Sequence, residues 1–309
     1  MTPKVQRILK QLEFGRPFKL SDATLIHTKV HDQRVTFVTN MERDPIQRNH
    51  RNGRFYEQQE LDELRAIFPE GGTFVDIGAN VGNHSIYAGL FLKAGKVIPF
   101  EPNPLAYRVL VHNVLLNGLD EVVDLSNLGV GVSDHAQEGF AMEKRDRNLG
   151  GAKMIEGKGD LMVFPADDLL EGEAPAMIKI DVEGMEMQAL GGLEKTITEH
   201  RPVLLVEVDN ENEEDFMIWA EVHDYEVAQT IQRYRLNKNH LLMPRQVAKS
   251  GKPGVTLKTG TTASKGKGAS SQATSGASNS SKSKSAGSKS TGTKTASSKA
   301  KLKVVEPAK

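Results

Sequence analysis

The stretch VDIGANVGNHSIYA, residues 75–88, decides the fold. Its apolar opening ends on the acidic Asp76, passes through Gly78 and Gly82, and closes with Ile86 and Tyr87 on one helical face. A buried strand that turns tightly into an amphipathic helix is the arrangement this pattern predicts. Two glycines let the backbone approach a ligand closely. Their G-x-x-x-G spacing departs from the G-x-G-x-x-G that wraps a pyrophosphate, and an acidic residue directly before the first glycine suits a ligand with an amino group.

Downstream, KVIPFE (96–101) reads as the next strand, ending in Glu101. An ionised carboxylate is acceptor-only and takes two hydroxyls at once, so Glu101 suits a ribose. Amino acid at one end and ribose in the middle describe S-adenosylmethionine. The structural alternative is a tight strand–helix turn followed by an ordinary strand-end carboxylate. Leu105, Val109, Val114 and Leu116 predict a helix, and AMIKID (176–181) and PVLLVEV (202–208) read as short strands buried on both faces. Upstream, Leu61, Leu64 and Phe68 share one helical face before Pro69. Such alternation predicts a parallel α/β sheet with helices on both sides and ligands at the carboxyl ends of its strands. The segment 138–160 interrupts it with charge and glycine, and predicts a hairpin or lid over the ligand face. Residues 1–55 show one alternating run, Val35-Thr36-Phe37-Val38.

A second signal is IKIDVEGMEMQALGG (178–192) followed by PVLLVEV. Asp181 and Glu183 leave one strand end and Glu207 ends the next. Like charges so placed raise one another's pKa, and a cationic sulfonium, a general-base role or a divalent cation would each account for them. The alternatives are Glu186 capping a helix and Glu207 pairing with an arginine.

The order VDIGANVGNHSIYA, FEPNP (100–104), ADDLL (166–170), IKIDVEGMEMQALGG and PVLLVEV resembles the FkbM-type family of S-adenosylmethionine-dependent methyltransferases, over roughly residues 55–208. The resemblance implies the Rossmann-like, seven-stranded class I methyltransferase sheet and O-methylation of a hydroxyl on a saccharide or glycosylated metabolite. It assigns Asp76, Gly78, Asn80 and Gly82 to the cofactor loop, Glu101 to the ribose, and Asp181, Glu183 and Gly184 to the active-site strand end. Phe55-Tyr56-Glu57 resembles the aromatic-Glu entry before the first strand, and Asn148 with Gly150-Gly151 an Asn–Gly loop. Pro165-Ala166 departs from a more usual Thr-Leu before Asp167. Asp167 is expected near the cofactor, or as a helix N-cap, and Asn127 on a third strand beside the adenine, or in a turn. His84, in the first helical turn after the glycines, is a candidate base, although a helix N-terminus disfavours its protonated form. The expected catalytic residues are therefore Asp181, Glu183, Glu207 and His84. The other histidines lack metal-ligand spacing.

The composition narrows the class. The 309 residues carry 40 basic and 40 acidic side chains, yet 251–309 holds 12 Lys, 13 Ser and one acidic residue, leaving 28 basic and 39 acidic in 1–250. A stretch so poor in apolar residues predicts a disordered tail, attached to one catalytic domain at 55–247 with residues 1–54 as its N-terminal extension. The tail suits non-specific polyanion contact by charge neutralisation. Absence of cysteine excludes disulfide scaffolds, thiolate zinc and a cysteine nucleophile. No apolar run reaches a membrane span, so a cytoplasmic protein with a small-molecule or saccharide acceptor is expected. A catalytically silent cofactor-binding module tethered by the tail is the alternative.

Overall fold

The computed structural model describes residues 3–14, 16, 19–145 and 147–245. The expectations for 248–309, and the boundary set at 247, lie outside the described residues.

Helix α1 (Pro3–Glu13) precedes an antiparallel hairpin of β1 (Thr24–Val30) and β2 (Gln33–Thr39), then α2 (Pro45–Arg51) and α3 (Gln58–Leu64). The alternation follows with β3 (Thr73–Ile77), α4 (Asn83–Tyr87) continued by one wider turn over Ala88–Leu92, β4 (Lys96–Phe100), α5 (Pro104–Leu116) and β5 (Val130–Val132). Next come β6 (Gln137–Met142), β7 (Met154–Ile155), β8 (Leu161–Phe164) and α6 (Ala166–Leu169). The chain then runs through β9 (Pro175–Ile180), α7 (Glu186–Gly191), α8 (Glu194–His200), β10 (Val203–Asp209), α9 (Glu213–Val222), β11 (Tyr225–Ile231) and β12 (Asn237–Pro244).

The main sheet has the order β11-β12-β10-β9-β3-β4. Strands β4, β3, β9 and β10 are parallel, whereas β12 runs antiparallel to β10 and β11. The seventh position is filled differently. Segment 123–128 runs beside β4 but pairs with it only in isolated bridges at Val97–Val123 and Glu101–Leu128, before β5 turns away to pair with β8. Pro99 lies between those two bridges and has no N–H to give, so the ladder cannot be continuous there. Asn127 consequently sits in a 3-10 turn, Leu125–Asn127, and not on a strand.

Side-chain alternation along β3 and β9 builds a core on each face of the sheet. Phe74 and Met177 pack on one side with Tyr87 and Leu110, while Val75 and Ile178 pack on the other with Leu190 and Ile197. The predicted lid is a hairpin, in which β6 pairs antiparallel with β7 and with β8. Among the described residues no helix is long and apolar enough to cross a membrane.

Candidate functional site

The carboxyl ends of β3, β4, β9 and β10 meet at one edge of the sheet, and the loops leaving them form a cleft and a larger cavity beside it. In the β3–α4 loop, Gly78 has φ +77°, and a Cβ there would stand 1.8 Å from the Asp181 carbonyl oxygen, so any other residue would force the ends of β3 and β9 apart. Gly82, with φ +86°, begins α4. Asn80 adopts φ +51°, a left-handed conformation that asparagine tolerates better than most residues. Glu101 holds this loop: its two oxygens accept from the backbone N–H groups of Asn80 and Asn103, each at 2.7 Å. Asn103 in turn caps α5 through Leu105 N–H at 3.0 Å, with Pro104 preset for the first turn. One carboxylate thus sets both the glycine loop and the neighbouring helix.

The cleft is lined by Gly78, Asn80 and Glu101 on one side and by Gly131, Met142 and Met154 on the other. Met154 lies over Gly131, where a Cβ would come within 2.7 Å of its Cε. The second cavity, of about 540 Å³, shares Asp181, Glu183 and Gly150 with the cleft and is closed by Tyr56, Glu57 and Glu207. Tyr56 Oη and Tyr234 Oη, 2.8 Å apart, join the entry to α3 to the β11–β12 connection across this cavity.

Its electrostatics follow from burial. One oxygen each of Asp181, Glu183 and Glu207 lie within 4.8 Å of one another, close enough to hold a common cation. Burial raises the pKa of Glu183 and Glu207, and neighbouring carboxylates, Asp181 foremost, add to it. Glu207 accepts from Asn237 Nδ2 at 2.6 Å, so its partner is an amide and not an arginine. Glu186 accepts from Gly184 N–H at 2.6 Å and from Asn212, which ties the preceding loop to α7, but it does not cap that helix, whose N-cap is Met185. Glu183 itself has φ +51°.

Several expected residues fall elsewhere. Asp76 is fully buried behind the glycine loop, where its Oδ2 accepts from Ser85 Oγ at 2.6 Å and Lys179 Nζ stands 3.6 Å from its Oδ1. Asp76 does not line the cleft. Asp167 lies in the first turn of α6, whose N-cap is Pro165, and caps the distant helix α8 instead, its oxygens accepting from Lys195 and Thr196 N–H at 2.9 Å. His84 is buried with Nε2 3.8 Å from Glu57, and burial followed by the Lys179 charge lowers its pKa to about 3. It is then a poor proton acceptor near neutrality.

Lys179 went unread in the sequence, and Glu57 was read there only as part of an entry motif, without a role at the site. Lys179, the lone cation of the buried run AMIKID, donates to Gly78 O at 3.0 Å and to Asp181 at 3.2 Å. Burial alone would lower its pKa, but Asp181 and Asp76 hold it up, so it stays charged beneath the loop. A lysine in a strand otherwise buried on both faces was the available signal. Glu57 lines the second cavity with its side chain only 8 % exposed, and burial, then Glu60, push its pKa up to about 7. Asn83 fixes its neighbour Tyr56 through both backbone atoms, at 2.9 and 3.0 Å, which ties Glu57 to the start of α4.

Residues 76–236 match the methyltransferase FkbM domain family. The chain is 26% identical to methyltransferase sdnD of Sordaria araneosa, over 42% of this chain and 63% of that protein. It is 27% identical to methyltransferase 1 of Beauveria bassiana (strain ARSEF 2860), over 42% and 61% respectively. It therefore spans about three fifths of the length of these curated relatives. A solved methyltransferase FkbM from Methylobacillus flagellatus KT is 21% identical, with TM-score 0.39, over 55% of this chain and 43% of that one.

Proposed function

The chain belongs to the FkbM methyltransferase family, the match taking in just over half of its length, and from that premise we propose that it methylates a hydroxyl of a saccharide or glycosylated metabolite using S-adenosylmethionine. The observation that carries the reading is the pair of adjoining spaces, one bounded by the glycine loop and Glu101, the other by six carboxylates against two cations, Arg145 and Lys153, with Asp181 and Glu183 common to both.

The cleft fits the cofactor in its donor set. Each Glu101 oxygen spends one lone pair on a backbone N–H and keeps another for a ribose hydroxyl. Asn80 Oδ1 is a buried acceptor without a partner in the same wall, and Met142 with Met154 offers an apolar, adaptable surface to a purine. When bound, S-adenosylmethionine supplies a methyl group on a cationic sulfur. The acidic cavity attracts such a cation and accepts the hydrogen bonds of a polyhydroxylated acceptor. Asp181, Glu183, Glu207 and Glu57 are the groups that orient the acceptor hydroxyl or take its proton, and positioning does most of the work.

Calorimetry with S-adenosylmethionine, followed by detection of S-adenosylhomocysteine across a panel of glycosides, tests this reading. Saturable binding with turnover on a hydroxyl acceptor is expected. Binding without turnover across the panel would favour a silent cofactor-binding module, and no binding would end the proposal. Repeating the turnover assay against a chelator distinguishes a bound cation from bare carboxylates at Asp181, Glu183 and Glu207. For 248–309 we keep the proposal of a separate basic tail that contacts polyanions without reading sequence.

A further inference from the structure

The loop 148–152 separates the two spaces: Leu149 and Ala152 face the cleft, Asn148 and Gly151 the cavity, and Gly150 both. What holds it comes from outside the family match. Asp44, fully buried, is the N-cap of α2 and accepts from Gln47 N–H at 2.9 Å through Oδ1. Its second oxygen accepts from Leu149 N–H, also at 2.9 Å and 105 residues away. The helix that carries Asp44 is itself anchored, since Gln47 Oε1 accepts from Asn40 and Met41 N–H at 2.8 and 3.0 Å at the end of β2. Leu149 packs with Val38, Val81 and Val109, which confines the side chain but leaves the backbone direction to the hydrogen bond. One residue on, a Cβ at Gly150 would lie 3.1 Å from Asn80 Nδ2, so the loop rests against the glycine loop of the cleft.

We propose that Asp44 is a positioning residue for methyl transfer, its carboxylate latching the partition loop 148–152 against Asn80 so that both substrates meet a fixed wall. The assignment rests on the methyl-transfer reading of the site. An N-cap needs one oxygen, and serine or asparagine supplies it as well as aspartate does. The second oxygen, buried and committed to a distant backbone N–H, is therefore free of the helix's own requirement. Burial raises the Asp44 pKa, so a purely solvated capping role would be better served nearer the surface.

The test uses full-length Asp44→Ser and Asp44→Asn, both of which keep a capping oxygen for Gln47. Serine lacks the second acceptor, and asparagine turns an amide donor toward Leu149 N–H. Hydrogen exchange and calorimetry with S-adenosylhomocysteine are read together. Exchange at amides 149–152 should quicken about tenfold or more while the Gln47 amide stays protected, and affinity should fall about tenfold. Unchanged exchange at 149–152 in both variants overturns the latch. Faster exchange with unaltered affinity overturns its positioning role. If wild-type protein fails to bind S-adenosylhomocysteine, the methyl-transfer reading falls by itself, while the exchange data still decide whether Asp44 holds the loop.

Discussion

Replacing Glu101 by glutamine keeps the side chain's volume and removes its charge, and the structure lets the two consequences be weighed separately. Both carboxylate oxygens accept buried backbone N–H groups, from Asn80 and Asn103 at 2.7 Å. Glutamine has one carbonyl oxygen, so one of these N–H groups would face an amide donor, an orphaned buried group costing roughly 1–3 kcal/mol. Against that stands burial of the charge. Glu101 is pushed up to about 7 by burial, only partly opposed by its two N–H donors. A shift of that size means that holding the ionised form in the fold costs roughly 3 kcal/mol above neutrality. Because the folded pKa is raised, the stability linked to this group is present in full below its ordinary range near 4.5 and is lost as pH climbs through 7. Glutamine incurs no such loss. Glu101→Gln should therefore be destabilised at pH 5 by about 1–3 kcal/mol and lie within about 2 kcal/mol of wild type at pH 8. Affinity for S-adenosylhomocysteine should meanwhile fall by roughly tenfold to over a hundredfold at pH 8, where the ionised ribose acceptor worth about 1.5–3 kcal/mol is gone, and by less at pH 5, where wild-type Glu101 is itself protonated. Calorimetry and thermal unfolding at the two pH values provide the assay. Glu101→Gln binding within twofold of wild type at pH 8 would refute both the ribose assignment and the role of the carboxylate in setting the loop.

Glu207→Gln should stabilise the unliganded protein increasingly as pH rises from 5 toward 9, by at most about 1.4 kcal/mol per pH unit, because the raised pKa of Glu207 makes its proton the condition for folding at higher pH; turnover should drop while cofactor affinity is nearly kept, and a flat pH dependence of the stability difference counts against it. Asp167→Ala removes the cap of α8 and should lower stability by about 1–2 kcal/mol in denaturant titration, with S-adenosylhomocysteine affinity unaltered; a tenfold loss of affinity would restore Asp167 to the cofactor site. Deleting 251–309 removes 12 Lys and should abolish salt-dependent binding to DNA measured at low ionic strength, leaving cofactor affinity as it was; persistent binding of DNA by the acidic remainder would contradict the charge argument.

Residues 75–88, 96–101, 176–181 and 202–208 determined the architecture unaided, because a strand buried on both faces and a helix with one apolar face leave different periods in the chain. The same logic located Gly78, Glu101, Asp181 and Glu183, whose positions at or just past strand ends follow from where each apolar run stops. What tertiary structure decided was which of the neighbouring polar groups faces outward. Asp76 and Asp181 each adjoin a glycine or a turn at a strand end, yet only Asp181 lines the cleft; Asp76 turns inward to Ser85 and Lys179, a choice set by side-chain alternation against a packed helix. Pro99 broke a ladder that its own strand's apolarity concealed, and Asn127 moved off the sheet with it. Glu57 and Asp44 reach the site from the first 60 residues, across separations of about a hundred positions and more, through contacts that no local spacing encodes. Periodicity is a property of consecutive residues, whereas the partition loop and the acidic cavity are made by chain segments that meet only once the sheet has folded.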